Sequence, residues 1–331
     1  MTYSVGNIIV ATDYNGFAAT TVGANIDVTW NTLYGQTALG QVAAAGTVTA
    51  TQWSGLVNTL TSMAAHQGTT ITSRTAPTAG NTIAIFADVN TDITNCFTNQ
   101  ANAYAVGTQN TAWTGNASFT TNIGNALGNI LGGWTATWTD TMTFANTTAA
   151  TNFFSAGGLV KTQFSKTTTG TVEDTQWNIF IANVVANAGV YLSGANTAHT
   201  IANVTYNGTT KFGGNGTPTT LANGTGFFNL TTTSTPIYKQ FDSGAAYSSN
   251  FVQVAANVNS NSTPTILTLV ITWVNTGTVT GGNSTLTGGT ATTGITFGTG
   301  PATVVTYYPP ETTYLTAVWG APTVASAKAN T

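Results

Sequence analysis

Charge is what this chain has least of. Across 331 residues there are six Lys+Arg and nine Asp+Glu, 5% charged in all, where an ordinary soluble domain has about 25%. Charged groups do most acid–base, phosphate and metal chemistry, so their scarcity disfavours many functions at once. The cations, Arg74, Lys161, Lys166, Lys211, Lys239 and Lys328, are scattered along the sequence. Phosphate contacts need clustered Lys and Arg, so nucleic acid is not an expected partner. A polybasic membrane patch is disfavoured for the same reason. Cysteine occurs once, as Cys96, so no disulfide can form within the chain. Its plainest role is a small buried hydrophobe spaced with Ile93 and Phe97. The two histidines, His66 and His199, have no His, Cys or acid at ligand spacing, so neither a metal nor any other cofactor is expected. No run of about 18 apolar residues occurs, so no transmembrane helix is expected. The start, Met1 to Asn7, has neither a basic segment nor an apolar one, and reads as lacking a secretory leader.

Thr, Asn, Gly and Ala fill the positions that charge vacates. A 41% hydrophobic content with fifteen Phe, eleven Tyr and eight Trp argues for packed cores and against disorder. Such a length exceeds the usual limit of one core. A weak repeat opens the chain. Gly6 to Phe17, Gly46 to Leu56 and Gly80 to Val89 each run from glycine through a short extended apolar step to an aromatic that begins a helical period. Trp53, Leu56, Val57, Leu60 and Met63 keep helical spacing, as do Phe86, Val89, Ile93 and Phe97. Tyr14 and Phe17, then Ile26, Trp30 and Leu33, give a broken version. Thr12, Thr49 and Thr51 are candidate caps. Residues 1–100 therefore read as three amphipathic helices forming an anchoring region, with aromatic stripes that pack as core.

Residues 101–138 read as a bridge with one helix over Ile123 to Leu131. From 139 to 331 the pattern is mainly β. Thr141 to Phe144 alternates, and Asn146 to Phe154 suits a helix stopped by Gly157-Gly158. Leu159 to Thr167 suits a strand with Val160 and Phe164 on one side, Lys161 and Gln163 on the other. An amphipathic helix follows with Trp177, Phe180, Ile181, Val184 and Val185, and Glu173-Asp174 in its first turn, where the helix dipole favours acids. Phe251 to Val258, Ile266 to Val274, Pro301 to Tyr308 and Thr313 to Trp319 are expected strands. The stretch Asn275 to Gly300, nearly all Thr, Gly, Asn and Ala, is expected to be an exposed hairpin or loop. The fold class is therefore α+β: a small helical repeat region, then a mainly antiparallel, jelly-roll-like β-sandwich with an added helix.

No pattern in the chain carries catalytic chemistry. There is no Gly-x-Ser-x-Gly elbow, and Gly213 to Gly216 and Gly298 to Gly300 lack the Lys-Ser/Thr of a phosphate cradle. A paired-carboxylate site has no support among so few scattered acids. Enzymatic activity is not expected. Surface recognition remains. Tyr307, Tyr308 and Trp319, among prolines and polar residues, are candidate recognition aromatics, with core or intersubunit packing as the plainer alternative.

Several motifs carry a resemblance. The units Ile-x-Ala-Thr-Asp-Tyr-Asn (9–15) and Thr-Ala-Thr-Gln-Trp (49–53), Tyr34-Gly35-Gln36, and Ala65-His66-Gln67-Gly68 resemble the N-terminal region of virion structural proteins of T4-like cyanophages. Phe153-Phe-Ser-Ala-Gly-Gly158 is similar to a Phe-Phe-Asn-Ala-Gly-Gly run in them, with Ser155 in place of Asn, and Tyr247 to Val254 resembles one of their late strands. The resemblance implies a particle component, fibre- or appendage-like, and it supplies no catalytic residue. In seawater the Debye length falls to roughly 4 Å, so a neutral surface loses little there. The expectation is a non-enzymatic virion structural protein, made in the host cytoplasm and released by lysis. It is expected to form a homo-oligomer, a trimer or other cyclic ring, with other virion proteins as partners. The helical region would anchor and the β domain would project. The alternative is an adhesin module that binds a host glycan or receptor.

Overall fold

A computed structural model describes residues 10–19, 24–80, 86–104, 111–112, 134–167, 172–185, 188–244, 247–276 and 299–330. The helical part holds α1 (Ala11–Ala18), a π-helical turn (Val28–Leu33), α2 (Ala50–Gln67) and α3 (Phe86–Thr98). It is followed by β1 (Thr111–Ala112), β2 (Trp134–Thr143), α4 (Thr147–Ser155), β3 (Leu159–Thr167) and α5 (Val172–Val185). Short strands come next: β4 (Gly189–Leu192), β5 (His199–Ile201), β6 (Val204–Tyr206), β7 (Thr209–Phe212) and β8 (Thr220–Leu221). The chain closes with β9 (Thr235–Phe241), β10 (Phe251–Val258), β11 (Ile266–Asn275), β12 (Thr299–Tyr308) and β13 (Thr323–Asn330).

The repeat units become helices for local reasons. Thr49 caps α2: its hydroxyl accepts from the Gln52 amide at 3.2 Å, and the Gln52 side chain takes the Thr49 N–H at 2.8 Å. This reciprocal pair satisfies two otherwise orphaned donors. In the first unit the same place is held by Val10 and Asp13, whose carboxylate accepts the Val10 N–H at 3.2 Å; Thr12 lies inside α1 and does not cap it. Val10 and Thr47 form an antiparallel bridge, so the entries to α1 and α2 lie side by side. Trp53, Leu56, Val57, Leu60 and Met63 are all buried, as their spacing predicts. The third unit differs in one detail: Cys96, fully buried, takes the inward place while Phe97 is half-buried. The broken pattern around Trp30 closes as a wide π turn, with the Tyr34 N–H on the Thr29 carbonyl at 3.0 Å.

The β part is a sandwich of antiparallel sheets. One has the order β1-β12-β3-β4-β7, the other β13-β2-β11-β10-β9-β8. β8 to β11 run as a meander within one sheet, a wiring unlike the sheet-to-sheet alternation of a jelly roll. Alternation sets the faces. On β2, Ala136, Trp138, Asp140 and Met142 point in; on β11, Leu267, Leu269, Ile271 and Trp273 do. Phe164 of β3 closes the gap between sheets, 6.0 Å from the Trp273 ring and 6.3 Å from that of Tyr238. The added helix α5 stacks Trp177 on Trp273 at 5.6 Å.

β1 lies inside the stretch expected to be a bridge, and β2 begins at Trp134, where Trp134 and Trp138 start a strand-like alternation in the sequence. The expected strand Thr313 to Trp319 does not form. Its backbone groups are engaged by a side chain from the helical part, as described below, and Pro322 and the left-handed Gly320 (φ +65°) follow it. The last strand comes later, as β13. The expected helix over 123–131 lies outside the described residues, as do 277–298 of the Thr/Gly-rich loop and the side chains of Glu173 and Asp174. One apolar cluster runs from Tyr14 and Trp53 in the helices through Phe153 of α4 to Trp273 and Trp319. The helical part and the sandwich thus share one core.

Candidate functional site

Two places concentrate unusual residues. The first is the junction of helices and sandwich. The turn after the π helix presents Gln36, whose amide donates to the Thr316 carbonyl at 2.9 Å and accepts the Thr316 N–H at 2.8 Å. Gln36 is buried, so this pairing replaces water for both Thr316 groups. Gly35 has a φ of +71°, and any Cβ there would run into the Asn152 side chain on α4 and Val318. Tyr34 donates to the Gln100 carbonyl at 2.7 Å and accepts from Gln67 at 2.8 Å. His66 meets Tyr34 edge-on with ring centres 5.1 Å apart, and its Nε2 lies 3.1 Å from the Ala156 carbonyl. With an acceptor there, Nε2 carries the proton. Gly157, at φ +96°, lets the Ala103 methyl press against its backbone. Tyr34-Gly35-Gln36, His66-Gln67 and the α4 end through Gly157, far apart in sequence, therefore meet in one buried place.

The second is the outer face of the five-stranded sheet. Tyr191 of β4 and Tyr308 of β12 lean together over β3, ring centres 6.4 Å apart and near-parallel at 28°. Phe212 and Tyr206 pack edge-on around Tyr191, with centres 5.4 and 5.6 Å from it. The Lys161 ammonium lies 5.5 Å over the Tyr191 ring. Leu159, Ile201 and Ala103 form the floor. Tyr191, Tyr308, Phe212 and Lys161 stay partly open, while Tyr206 is buried. Burial, with Tyr308 alongside, pushes the Tyr191 hydroxyl up to about 12. Burial also lowers the Lys161 ammonium. The tyrosines are neutral near pH 7, and the surface offers ring faces, hydroxyls and one cation.

Of the three aromatics singled out in the sequence, Tyr308 alone belongs to this face. Tyr307 points to the opposite side and packs on Phe153 at 6.3 Å. Trp319 is 3% exposed in the shared core. Neither offers a ring to a partner: alternation puts Tyr307 inward, and the irregular 313–319 segment folds Trp319 in. Tyr191 and Phe212 were not anticipated. Their signal was the alternation of Val190-Tyr191-Leu192, which sends the tyrosine outward when both neighbours go in.

Other buried titratable groups lie elsewhere in the core or beside the junction. Burial pushes the Cys96 thiol up to about 12, with Asp92 adding to it, so it is no nucleophile near neutrality. Asp140, inward on β2, has its carboxyl raised to about 6 by burial, partly offset by the Ser326 hydroxyl. Arg74 and Asp92 form a buried ion pair at 2.5 Å. Among the described residues no three His, Cys, Asp or Glu gather as a metal site, and no helix is long and apolar enough to cross a membrane. No family model, curated protein or solved structure matches the chain.

Proposed function

We propose that the chain is a non-enzymatic structural component of a phage particle, self-assembled and joined to other virion proteins, fibre- or appendage-like in role. One observation supports this most. Short segments through which the sequence resembles virion proteins, Tyr34 to Gln36, His66 and Gln67, and Phe153 to Gly158, come together at the buried junction. They are joints of a scaffold: they hold helices to sandwich and expose no reactive group. The neutral surface suits assembly through apolar burial and uncharged hydrogen bonds, which salt screens little. The test is mass and symmetry on native particles, with sedimentation of the purified chain in a NaCl series. A particle-bound oligomer that persists above about 1 M salt is the expected result. A chain absent from particles and monomeric in solution would overturn the reading.

A second reading, host-glycan recognition, is favoured by the Tyr191–Tyr308 face. Adjacent, partly open tyrosine rings with a nearby cation suit stacking against a pyranose ring. On a glycan array, Tyr191→Ala is expected to lose at least about tenfold of any binding the wild type shows, which is about 1.4 kcal/mol. Binding by the wild type that Tyr191→Ala leaves untouched places recognition elsewhere.

A further inference from the structure

Among the described residues the two large sheets end in four outermost strands, and these are unlike one another. β1 and β8 are two residues long, and β7 is four. β13 has eight. Natural proteins blunt exposed edges with shortness, proline, bulges or charge. β13, Thr-Val-Ala-Ser-Ala-Lys-Ala-Asn, has no proline and one charge, Lys328. Its ladder with β2 runs from Thr323↔Thr143 to Asn330↔Ala136 without a register shift, so no bulge bends it away. Its other side carries no partner strand among the described residues. Thr323, Ala325, Ala327, Lys328 and Ala329 are exposed. Beside it, the outer face of β2 is a ladder of Thr135, Thr137, Thr139, Thr141 and Thr143, flanked on β11 by Thr268, Val270 and Thr272. These residues carry no charge to repel a neighbour; the cation of this face, Lys239, lies two strands further on, on β9.

We propose that β13 is an assembly interface and that its occupant is the β13 of a second copy, paired antiparallel about a two-fold axis. The proposal goes beyond the function above, because it names the surface and symmetry and holds whatever particle the chain serves. Three features select this occupant. An antiparallel strand pair is self-complementary, as an isologous contact requires. With an axis near Ser326 and Ala327, each Lys328 faces a residue near Ala325, so like charges are not opposed. A two-fold pair uses this edge alone, whereas a ring built from it would need a second, different edge. Pairing joins two six-stranded sheets into one across an edge about 27 Å long.

The experiment uses the full chain in three forms. The first is the wild type, whose mass is measured by sedimentation over a concentration series. The second is a set of single-cysteine variants, Ala325→Cys, Ala327→Cys and Ala329→Cys, oxidised alone and in equimolar mixtures. Cysteines opposed across an antiparallel pair fall within disulfide reach, and the native Cys96 is buried. The third is Ala325→Lys/Ala327→Lys, which gathers four added cations at the axis without touching the fold's interior. The wild type is expected to dimerise independently of salt. One cysteine combination should crosslink efficiently while its neighbours do not. The lysine variant should dimerise about tenfold more weakly at low salt and recover near 1 M NaCl. A wild type monomeric at roughly 100 μM overturns the proposal. So does an oligomer that forms no β13 crosslink and ignores the added lysines. A crosslinking dimer absent from virus particles would sink the functional reading and leave this one standing.

Discussion

Single residues decide how this fold responds to pH. Asp140 sits inward among Trp138, Met142 and Leu269, with its carboxyl raised from 3.8 to about 6. The folded state holds its proton where the unfolded state has already released it. Stability therefore falls as pH rises from about 4 through 6, by roughly 3 kcal/mol at full effect. Asp140→Asn removes the ionisation and is expected to stabilise the protein by about 2 kcal/mol at pH 8, with no gain below pH 4. Denaturant unfolding of both forms at the two pH values checks this; equal stability at pH 8 contradicts it. His66 works in the opposite direction. Burial lowers it to about 4, against the pull of the Ala156 carbonyl. As pH falls from about 6.5 toward 4, the unfolded state binds a proton that the folded state refuses, and stability drops. His66→Gln should flatten that acid limb, although losing the ring lowers the plateau. The sequence exposed these two residues unevenly. The strand alternation that sends Trp138 and Met142 inward also sends Asp140 inward. Nothing near His66 in sequence announced Ala156, because their contact spans 90 positions.

At the scale of elements, amide side chains do what charge and regular ladders do elsewhere. Asn15 bonds both ways to the Val42 backbone, at 2.9 and 2.8 Å. The Asn259 oxygen accepts the N–H groups of Thr265 and Ile266, both at 2.9 Å, and so closes the β10–β11 turn. The abundance of Asn thus reads, in structure, as loop fastening. Two such ties can be ranked. Thr49→Ala removes an exposed cap and should destabilise by about 1 kcal/mol. Gln36→Ala removes a buried side chain that holds both the N–H and the carbonyl of the exposed Thr316, and should destabilise by about 2 kcal/mol. A Gln36 variant milder than the cap variant in denaturant unfolding would show that water enters the junction. The periodic elements were legible: the α2 stripe, β3, β10 and β11 lie where spacing put them, and Thr49 is the cap. The segment 313–319 was not, because its β-like composition carries no sign that Gln36 would bind its backbone. Tyr307 and Trp319 follow the plainer of their two readings and pack inside, whereas Tyr308 stays partly open; prolines and polar neighbours in sequence could not separate the three, because tertiary packing decides.

For the whole molecule, the shared core bears on how the chain can be divided. Sequence composition suggested a helical anchor of residues 1–100 and a separable β domain. The junction gives α4, Ala156 and the 313–319 segment their cover from residues 34–36 and 66. Without residues 1–100, Phe153, Leu315 and Trp319 lose neighbours in a common cluster. A chain starting at residue 101 is therefore expected to lose cooperative unfolding and to bind a hydrophobic dye. A sharp two-state transition in that fragment would restore the picture of independent domains.

The Gln36–Thr316 tie also has a consequence in time. Its halves are separated by 280 positions. A ribosome adding about 5–20 residues per second takes roughly 14 to 56 seconds to pass from one to the other. The turn at Gly35 must wait that long for the segment that completes it. The helices can form as they emerge, but their docking surface stays unmatched until residue 316 has been made. The junction thus closes long after its first half is synthesised, and a circular permutant that brings residues 313–319 out early would shorten the wait.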